Sequence, residues 1–339
     1  MKIDNLVMRL GFNKYAGRFQ TYDNLVCIYN TSISSLNVGD EIINASGIEQ
    51  LSLMFPQEQF YHMSTHVGSK PIGIHHANLC KERFVCGSNL LCDTMFRSAN
   101  WELTPLDIIK MNSVVLMGVC WNKYGKKTSP ITSLFYRNFL LDQKRLHSVR
   151  DDYTKEKLNK IGIKNVINTG CPTMWKFTEE HCASIRKEKS DKVVFTLTDY
   201  DKDYKNDKLL VETLQECYSK VYFWPQGAGD LQYLNEMNLP NIEIIPPRLP
   251  DYDALLRGGD IDFVGTRLHG GIRALQYGNR TLIIAFDNRA IEKAKDFNLP
   301  IIYRNNIAGD LKNMLCNNYS INLKINEREI NQWKKQFIK

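Results

Sequence analysis

Short apolar runs alternate with amphipathic stretches along this chain, and that alternation predicts an α/β fold built on parallel sheets. In the first half, strands are expected at Leu25–Tyr29, Phe84–Val85, Ser113–Met117, Arg145–Val149 and Asn165–Asn168. Helical spacing falls between them, notably at Asp40–Phe55 and Asp152–Ile161. The second half begins afresh with Lys192–Leu197, a β-branched run of the buried-strand type. Strands follow at Val221–Trp224, Ile242–Ile245, Asp262–Val264, Thr281–Ile284 and Ile301–Tyr303. Helices are expected at Asp207–Tyr218, Tyr252–Leu256, Gly271–Tyr277 and Ala290–Phe297. The pattern divides the chain into an N-terminal α/β domain (1–176), a charged linker (177–191) and a C-terminal α/β domain (192–325). A final helix (326–339), with Ile330, Trp333 and Phe337 on one face, is expected to pack back. Two open α/β domains of this kind are expected to face a cleft at the carboxyl ends of their strands.

Composition narrows the class. The 339 residues are 43% apolar and 24% charged, as in a globular enzyme with two cores. No apolar run approaches the roughly 20 residues that span a bilayer, and Met1–Leu10 lacks the features of a secretory signal. Nine cysteines without paired spacing argue against a disulfide framework or a structural zinc site, so a cytoplasmic protein is expected. The net charge of +7 is spread among acids, so no nucleic-acid arm is read from it. Part of that excess is available to anionic substrates or to an anionic membrane surface. His62 and His66 stand four apart but lack a third ligand, and His75-His76 has no partner, so no metal is expected.

The chemistry concentrates in loops that follow predicted strands. In Asp262-Phe263-Val264-Gly265-Thr266-Arg267-Leu268-His269-Gly270-Gly271, a strand ends in a tight turn and a helix begins. Helix N-terminal N–H groups and the positive dipole end form an anion site there. Arg267 offers a forked clamp, and His269 a group that moves protons. Arg289, at the next strand end, faces the same space in such an arrangement. Arg150 ends the strand Arg145–Val149, where it reads either as a cleft residue or as half of a surface pair with Asp151. Asn37 and Asp40 flank Gly39 before a helix, either with Asp40 as a plain cap or with both against sugar hydroxyls. Gly87 and Ser88 allow a ligand close to the backbone, beside Asn89, while Trp224–Asp230 shapes a wall or merely turns the chain.

These residues, in this order, resemble the polysaccharide pyruvyl transferase family. Asn37-Val38-Gly39-Asp40-Glu41 is similar to its N-x-G-D-E segment, and Gly87-Ser88-Asn89-Leu90 to a G-G-x-L turn in which Cys86 replaces a usual glycine. Val149-Arg150-Asp151 resembles a central R-D, and Asp262–His269 the most specific block. Arg289 stands where many members have lysine. The resemblance implies a GT-B-like fold of two Rossmann-like domains, and transfer of the pyruvyl group of phosphoenolpyruvate to a sugar of a surface polysaccharide precursor. The product is a cyclic ketal, and no cofactor is needed. It implies phosphoenolpyruvate contacts at Arg150, Arg267, Leu268, His269, Gly270 and Arg289. His269 is then the acid/base, Arg267 and Arg150 the clamp, and Arg289 an aid to phosphate departure. Asn37, Asp40, Ser88 and Asn89 fall to the acceptor, and a lipid-linked acceptor would bring the enzyme peripherally to the inner membrane face. The rival reading is a glycosyltransferase or sugar epimerase of the same architecture that uses a nucleotide sugar.

Overall fold

Strands buried on both faces need unbroken apolar runs, and β1 (Tyr22–Asn30) supplies one in Val26–Tyr29, each at most 1% exposed. The computed structural model describes residues 21–98, 100–123, 125, 127–286 and 294–338. The chain divides into two units: one comprises the residues up to Ser35 with Ile43–Pro172 and Asn326–Lys339, the other Leu36–Ile42 with Thr173–Ile325.

In the first unit, β1 lies between β2 (Gln59–Ser64) and β3 (Cys80–Cys86), and β4 (Val115–Met117) follows β3, all parallel. A parallel pair, β5 (His147–Val149) and β6 (Val166–Asn168), continues this sheet beyond β4. The junction is made by Gly118 N–H donating to Ser148 O at 3.0 Å and Arg150 N–H donating to Val119 O at 3.1 Å. The resulting order 2-1-3-4-5-6 reverses direction between β1 and β3. The helix Glu327–Lys335 belongs to this unit, and its fully buried Trp333 stands edge-on to Phe84 at 5.8 Å. Lys334 Nζ donates to Gln50 Oε1 at 2.5 Å, and Arg145 Nη1 to Gln336 O at 2.8 Å, which hold the helix in place.

The second unit carries β7 (Lys192–Thr196), β8 (Lys220–Phe223), β9 (Glu243–Ile244), β10 (Asp262–Gly265), β11 (Thr281–Ala285) and β12 (Ile301–Tyr303). Their order, β12-β11-β10-β7-β8-β9, is the doubly wound 3-2-1-4-5-6 arrangement, parallel throughout, with its switch point between β7 and β10. Residues 177–191, expected as a linker, carry the helix Glu179–Ser184 capped by Thr178 and are grouped with this unit. Arg186 within them donates through Nη2 to Asp262 Oδ1 at 2.6 Å, at the base of β10.

Several elements lie outside the predicted pattern. The edge strand β2 buries only one of its six residues, and the short helices Pro71–Leu79, Pro105–Lys110 and Pro130–Phe135 each begin on a proline. The expected helix Ala290–Phe297 falls partly outside the described residues, which are helical over 294–297. All nine cysteines are free.

The first unit buries one histidine as a neutral hydrogen-bonding group. His147 Nδ1 accepts from Leu116 N–H at 3.1 Å while its Nε2–H donates to Asp142 O at 2.8 Å. Burial pushes this imidazole from its ordinary 6.5 down to about 4. The unfolded chain therefore takes up a proton at a pH where the folded one does not. The stability contributed is complete above the unfolded value and is lost as pH falls from about 6.5 toward 4. Urea unfolding is expected to show about 3 kcal/mol of loss over that window, and His147→Gln to remove this component. Parallel pH curves for both proteins would contradict the assignment.

Candidate active site

In a doubly wound sheet the chain leaves the two central strands in opposite directions, which opens a crevice outside their carboxyl ends. Three loops of the second unit meet there. Leu197–Asp203 follows β7, Trp224–Gly229 follows β8, and Thr266–Arg267 joins β10 to the helix Leu268–Gln276. Threonines stitch the first and third loops together. Arg267 N–H donates to Thr196 Oγ1 at 3.1 Å, Thr266 N–H to Thr196 O at 3.1 Å, and the hydroxyls of Thr198 and Thr266 lie 2.8 Å apart.

Arg267 is the centre of this arrangement. It is only 4% exposed, and its Nε donates to Asp230 Oδ2 at 3.0 Å and to Leu197 O at 3.1 Å. Nη2 donates to Asp230 Oδ1 and, at 2.8 Å, to Asp199 Oδ1. Tyr200 lies 5.0 Å from the guanidinium carbon, over the face of its ring. The fork expected to seize a substrate anion is thus engaged by carboxylates. Nη1 alone makes no hydrogen bond to the described protein groups.

Asp230 is fully buried and also accepts the amide N–H groups of Gly227 at 2.7 Å, Gln226 at 3.1 Å and Asp199 at 3.1 Å. Burial pushes its carboxyl upward, while Arg267 and these amides draw it back toward the ionised form. The loop approaches this closely because position 227 has no side chain, since a Cβ there would lie 2.2 Å from Arg267 Nη2.

His269 stands in the first turn of the helix, 9% exposed, between Leu268 and Gly270. The carbonyl of Gly270 accepts Tyr252 Oη–H at 2.9 Å, and Tyr252 stacks on Trp224 with ring centroids 3.8 Å apart. The next glycine lets the helix sit close on the sheet, because a Cβ at Gly271 would come within 2.7 Å of Ile283 and 2.9 Å of Phe263. The helix N-terminus, the imidazole and Nη1 of Arg267 are therefore held by the same strand end. That set can bind an anion and move a proton beside it.

The other predicted residues fall into two groups. Asn37 joins the second unit, where its Oδ1 accepts from Gly39 N–H and from Gln226 Nε2, each at 2.9 Å. Asn37 thus supplies the side-chain acceptor at the start of the helix Gly39–Met54, whereas Asp40, expected as the cap, lies inside the first turn. A carboxylate there still complements the helix dipole. Ser88, Asn89 and Arg150 come together in the first unit. Gly87 and Ser88 take left-handed φ values of 63° and 62°, which aims Asn89 back at Arg150, whose Nη2 donates to Asn89 Oδ1 at 2.6 Å. Cys86, which precedes this turn, packs against Gly47, and burial pushes its thiol up to about 12, so it is an inert packing group. Arg289 lies outside the described residues.

Sequence reasoning placed Gln226 and Asp230 in the loop Trp224–Asp230 without giving either an individual role, and passed over Asp199 and Tyr200. The available signal was acidic residues right after strands β7 and β8, in a region where a buried arginine needs a counter-charge. Among the described residues no group of three His, Cys, Asp or Glu side chains is placed to hold a metal ion.

Two Rossmann-like units on parallel sheets, the second with an arginine and a histidine at its switch point, place the protein in the GT-B-like class of α/β folds. Residues 37–288 match the family model described as polysaccharide pyruvyl transferase, and the chain belongs to that family. No curated protein matches it. Among solved structures, the wall teichoic acid polymerase TagF is similar at 11% identity, covering 99% of this chain and 88% of that one, with a TM-score of 0.50. The UDP-GlcNAc 2-epimerase of Methanocaldococcus jannaschii shares 14% identity over 92% of this chain and 99% of that one, with a TM-score of 0.44. That of Neisseria meningitidis shares 10% over 92% and 99%, with a TM-score of 0.47. The likeness to TagF is one of fold alone.

Removing the buried Asp230 strips Arg267 of its fully buried counter-charge and leaves it only the Asp199 side chain, which is 29% exposed. Asp230→Ala is therefore expected to cost about 3–5 kcal/mol of stability in denaturant unfolding. Asp199→Ala should cost about 1 kcal/mol or less. Equal losses would show that the two carboxylates are equivalent and that Asp230 is not the anchor.

Proposed function

We propose that the β7/β10 switch point binds phosphoenolpyruvate and that the enzyme transfers its pyruvyl group to a sugar of a surface polysaccharide precursor. The reading is carried by the family match over residues 37–288, whose most specific motif supplies Arg267 and His269 on one strand end. In this reading Arg267 Nη1 and the N–H groups of Leu268, His269 and Gly270 receive the anionic groups of the donor, since a helix leaves its first N–H groups unused by its own turns. Asp230 fixes the guanidinium before the donor arrives, so little reorganisation accompanies binding.

His269 is assigned the proton transfers. The proton taken from the attacking sugar hydroxyl goes to the methylene carbon, which becomes a methyl group. The carbon that bears the phosphate gains positive character, and the sugar oxygen bonds to it. A second hydroxyl of the same sugar then displaces phosphate, whose departure carries away that hydroxyl's proton and closes the ketal. Every atom is accounted for without an oxidant or reductant. Arg150, expected as a further phosphoenolpyruvate contact, is assigned with Ser88 and Asn89 to anion and hydroxyl recognition in the first unit. Arg289 retains its assignment to phosphate departure. The acceptor is assigned as a lipid-linked precursor met at the inner face of the cytoplasmic membrane.

The test is phosphate release from phosphoenolpyruvate in the presence of lipid-linked oligosaccharide precursors, with mass spectrometry of the product. His269→Ala is expected to slow this release about 100-fold or more while phosphoenolpyruvate still raises the melting temperature. Near-normal transfer by His269→Ala would remove that residue from the chemistry. Thermal stabilisation by UDP-sugars and not by phosphoenolpyruvate would overturn the donor.

A further inference from the structure

Single exposed apolar side chains are ordinary on any protein, but clusters of them mark contact surfaces. The first unit has such a cluster. Phe96, Leu106, Ile109, Ile131, Leu134 and Phe139 are all large, and each is at least 36% exposed. They sit on neighbouring segments. Phe135 is 5.0 Å from Phe96 and 5.5 Å from Phe139, and the helix Pro105–Lys110 packs against Tyr136–Leu140. Leu106 with Ile109, and Ile131 with Leu134, are spaced three apart, so each pair shares one helix face.

Beside this cluster opens a cavity of about 840 Å³ lined by cations. Its walls include Lys127, Pro130, Ser133, Arg137, Lys157 and Lys160. Lys157 is buried against Asp93, with Nζ and Oδ1 2.5 Å apart, so its charge is neutralised within the protein. The other three charges remain available. Lys160 has only a loose, exposed pair with Glu156 at 3.6 Å, and among the described residues no carboxylate pairs with Lys127 or Arg137. The helix Pro130–Phe135 joins the two features, because Pro130 and Ser133 line the cavity while Ile131 and Leu134 are exposed on the same helix.

A soluble anion would satisfy the cavity and leave the apolar rim unexplained. A plain apolar partner would cover the rim and leave three cations facing it. A bilayer with anionic headgroups meets both at once, with phosphates at the level of the cations and acyl chains beneath them. Among the described residues no helix is long and apolar enough to cross a membrane, so contact of this kind lies along the surface.

We propose that this face of the first unit seats the protein on an anionic bilayer. Lys127, Arg137 and Lys160 draw headgroup phosphates to the cavity, and Ile131, Leu134 and Phe139 rest in the apolar boundary. The inference gives a surface to the membrane placement in the reading above, but vesicle binding and pyruvyl transfer are measured separately and fail separately.

The experiment is co-sedimentation of the full chain with vesicles of phosphatidylglycerol in phosphatidylcholine and with vesicles of phosphatidylcholine alone. Strong binding to the first and weak binding to the second is expected, falling as salt rises. At about fivefold per basic residue, Lys127→Glu/Arg137→Glu/Lys160→Glu should lower the partition by on the order of a hundredfold. Ile131→Ser/Leu134→Ser should lower it about tenfold. Melting temperatures report whether each variant is folded, and if the charge variant is not, the serine variant and the salt series decide. The proposal is overturned by no binding to phosphatidylglycerol vesicles, or by equal binding of wild type and folded variants. It is also overturned if inorganic pyrophosphate binds in the cavity while vesicles do not.

Discussion

A permanently charged guanidinium buried beside a fully buried carboxylate constrains everything around it. Each of these ions alone would cost several kcal/mol to remove from water, so the arrangement survives only when both are paired and their remaining hydrogen-bonding groups are used. Arg267 and Asp230 meet that condition through Leu197 O, Asp199 and three backbone amides. Those partners come from the ends of β7 and β8, so the pair fixes two loops relative to the strand end that carries it. The absent side chain at position 227 follows from the same closeness. Lysine could not substitute, since a single ammonium cannot span Asp230's two oxygens while also reaching Asp199.

In the proposed reading, function follows from what the pair leaves over. With Nε and Nη2 engaged, the one nitrogen still available is held in place by the other two. Preorganised donors stabilise charge without paying for reorientation during the reaction. His269 shares that rigidity, since it stands on a helix whose next two residues are glycines packed against Gln226, Phe263 and Ile283. The strand order places this apparatus at the sheet's switch point, and the membership of the polysaccharide pyruvyl transferase family gives it a reaction class.

Much of this was legible in the chain. The β-branched run at Lys192–Thr196 and the apolar run at Asp262–Gly265 are strands because only a doubly buried position tolerates such sequences. The glycine-flanked turn that carries Arg267 and His269 is unusual enough to be read without coordinates. β2 was not legible, because an edge strand with one buried residue has no apolar face to announce it. Nor was the role of Asp230, since an aspartate after glycine reads as a helix start and its partner is 37 residues away. Asn37 is further still, contacting Gln226 across 189 residues of sequence, a closure within its own unit that no local pattern announces. The sequence pattern reports burial and local turns. It does not report which distant charge completes a buried pair.

The most direct test of the account is calorimetric binding of phosphoenolpyruvate to wild type and to Asp230→Asn. Simple charge counting predicts that removing a negative group near the site strengthens the binding of an anion. If Asp230 acts by holding Arg267 in place, the neutral variant, though nearly isosteric, should bind phosphoenolpyruvate more weakly than wild type. Unchanged or tighter binding by the variant would contradict the central claim.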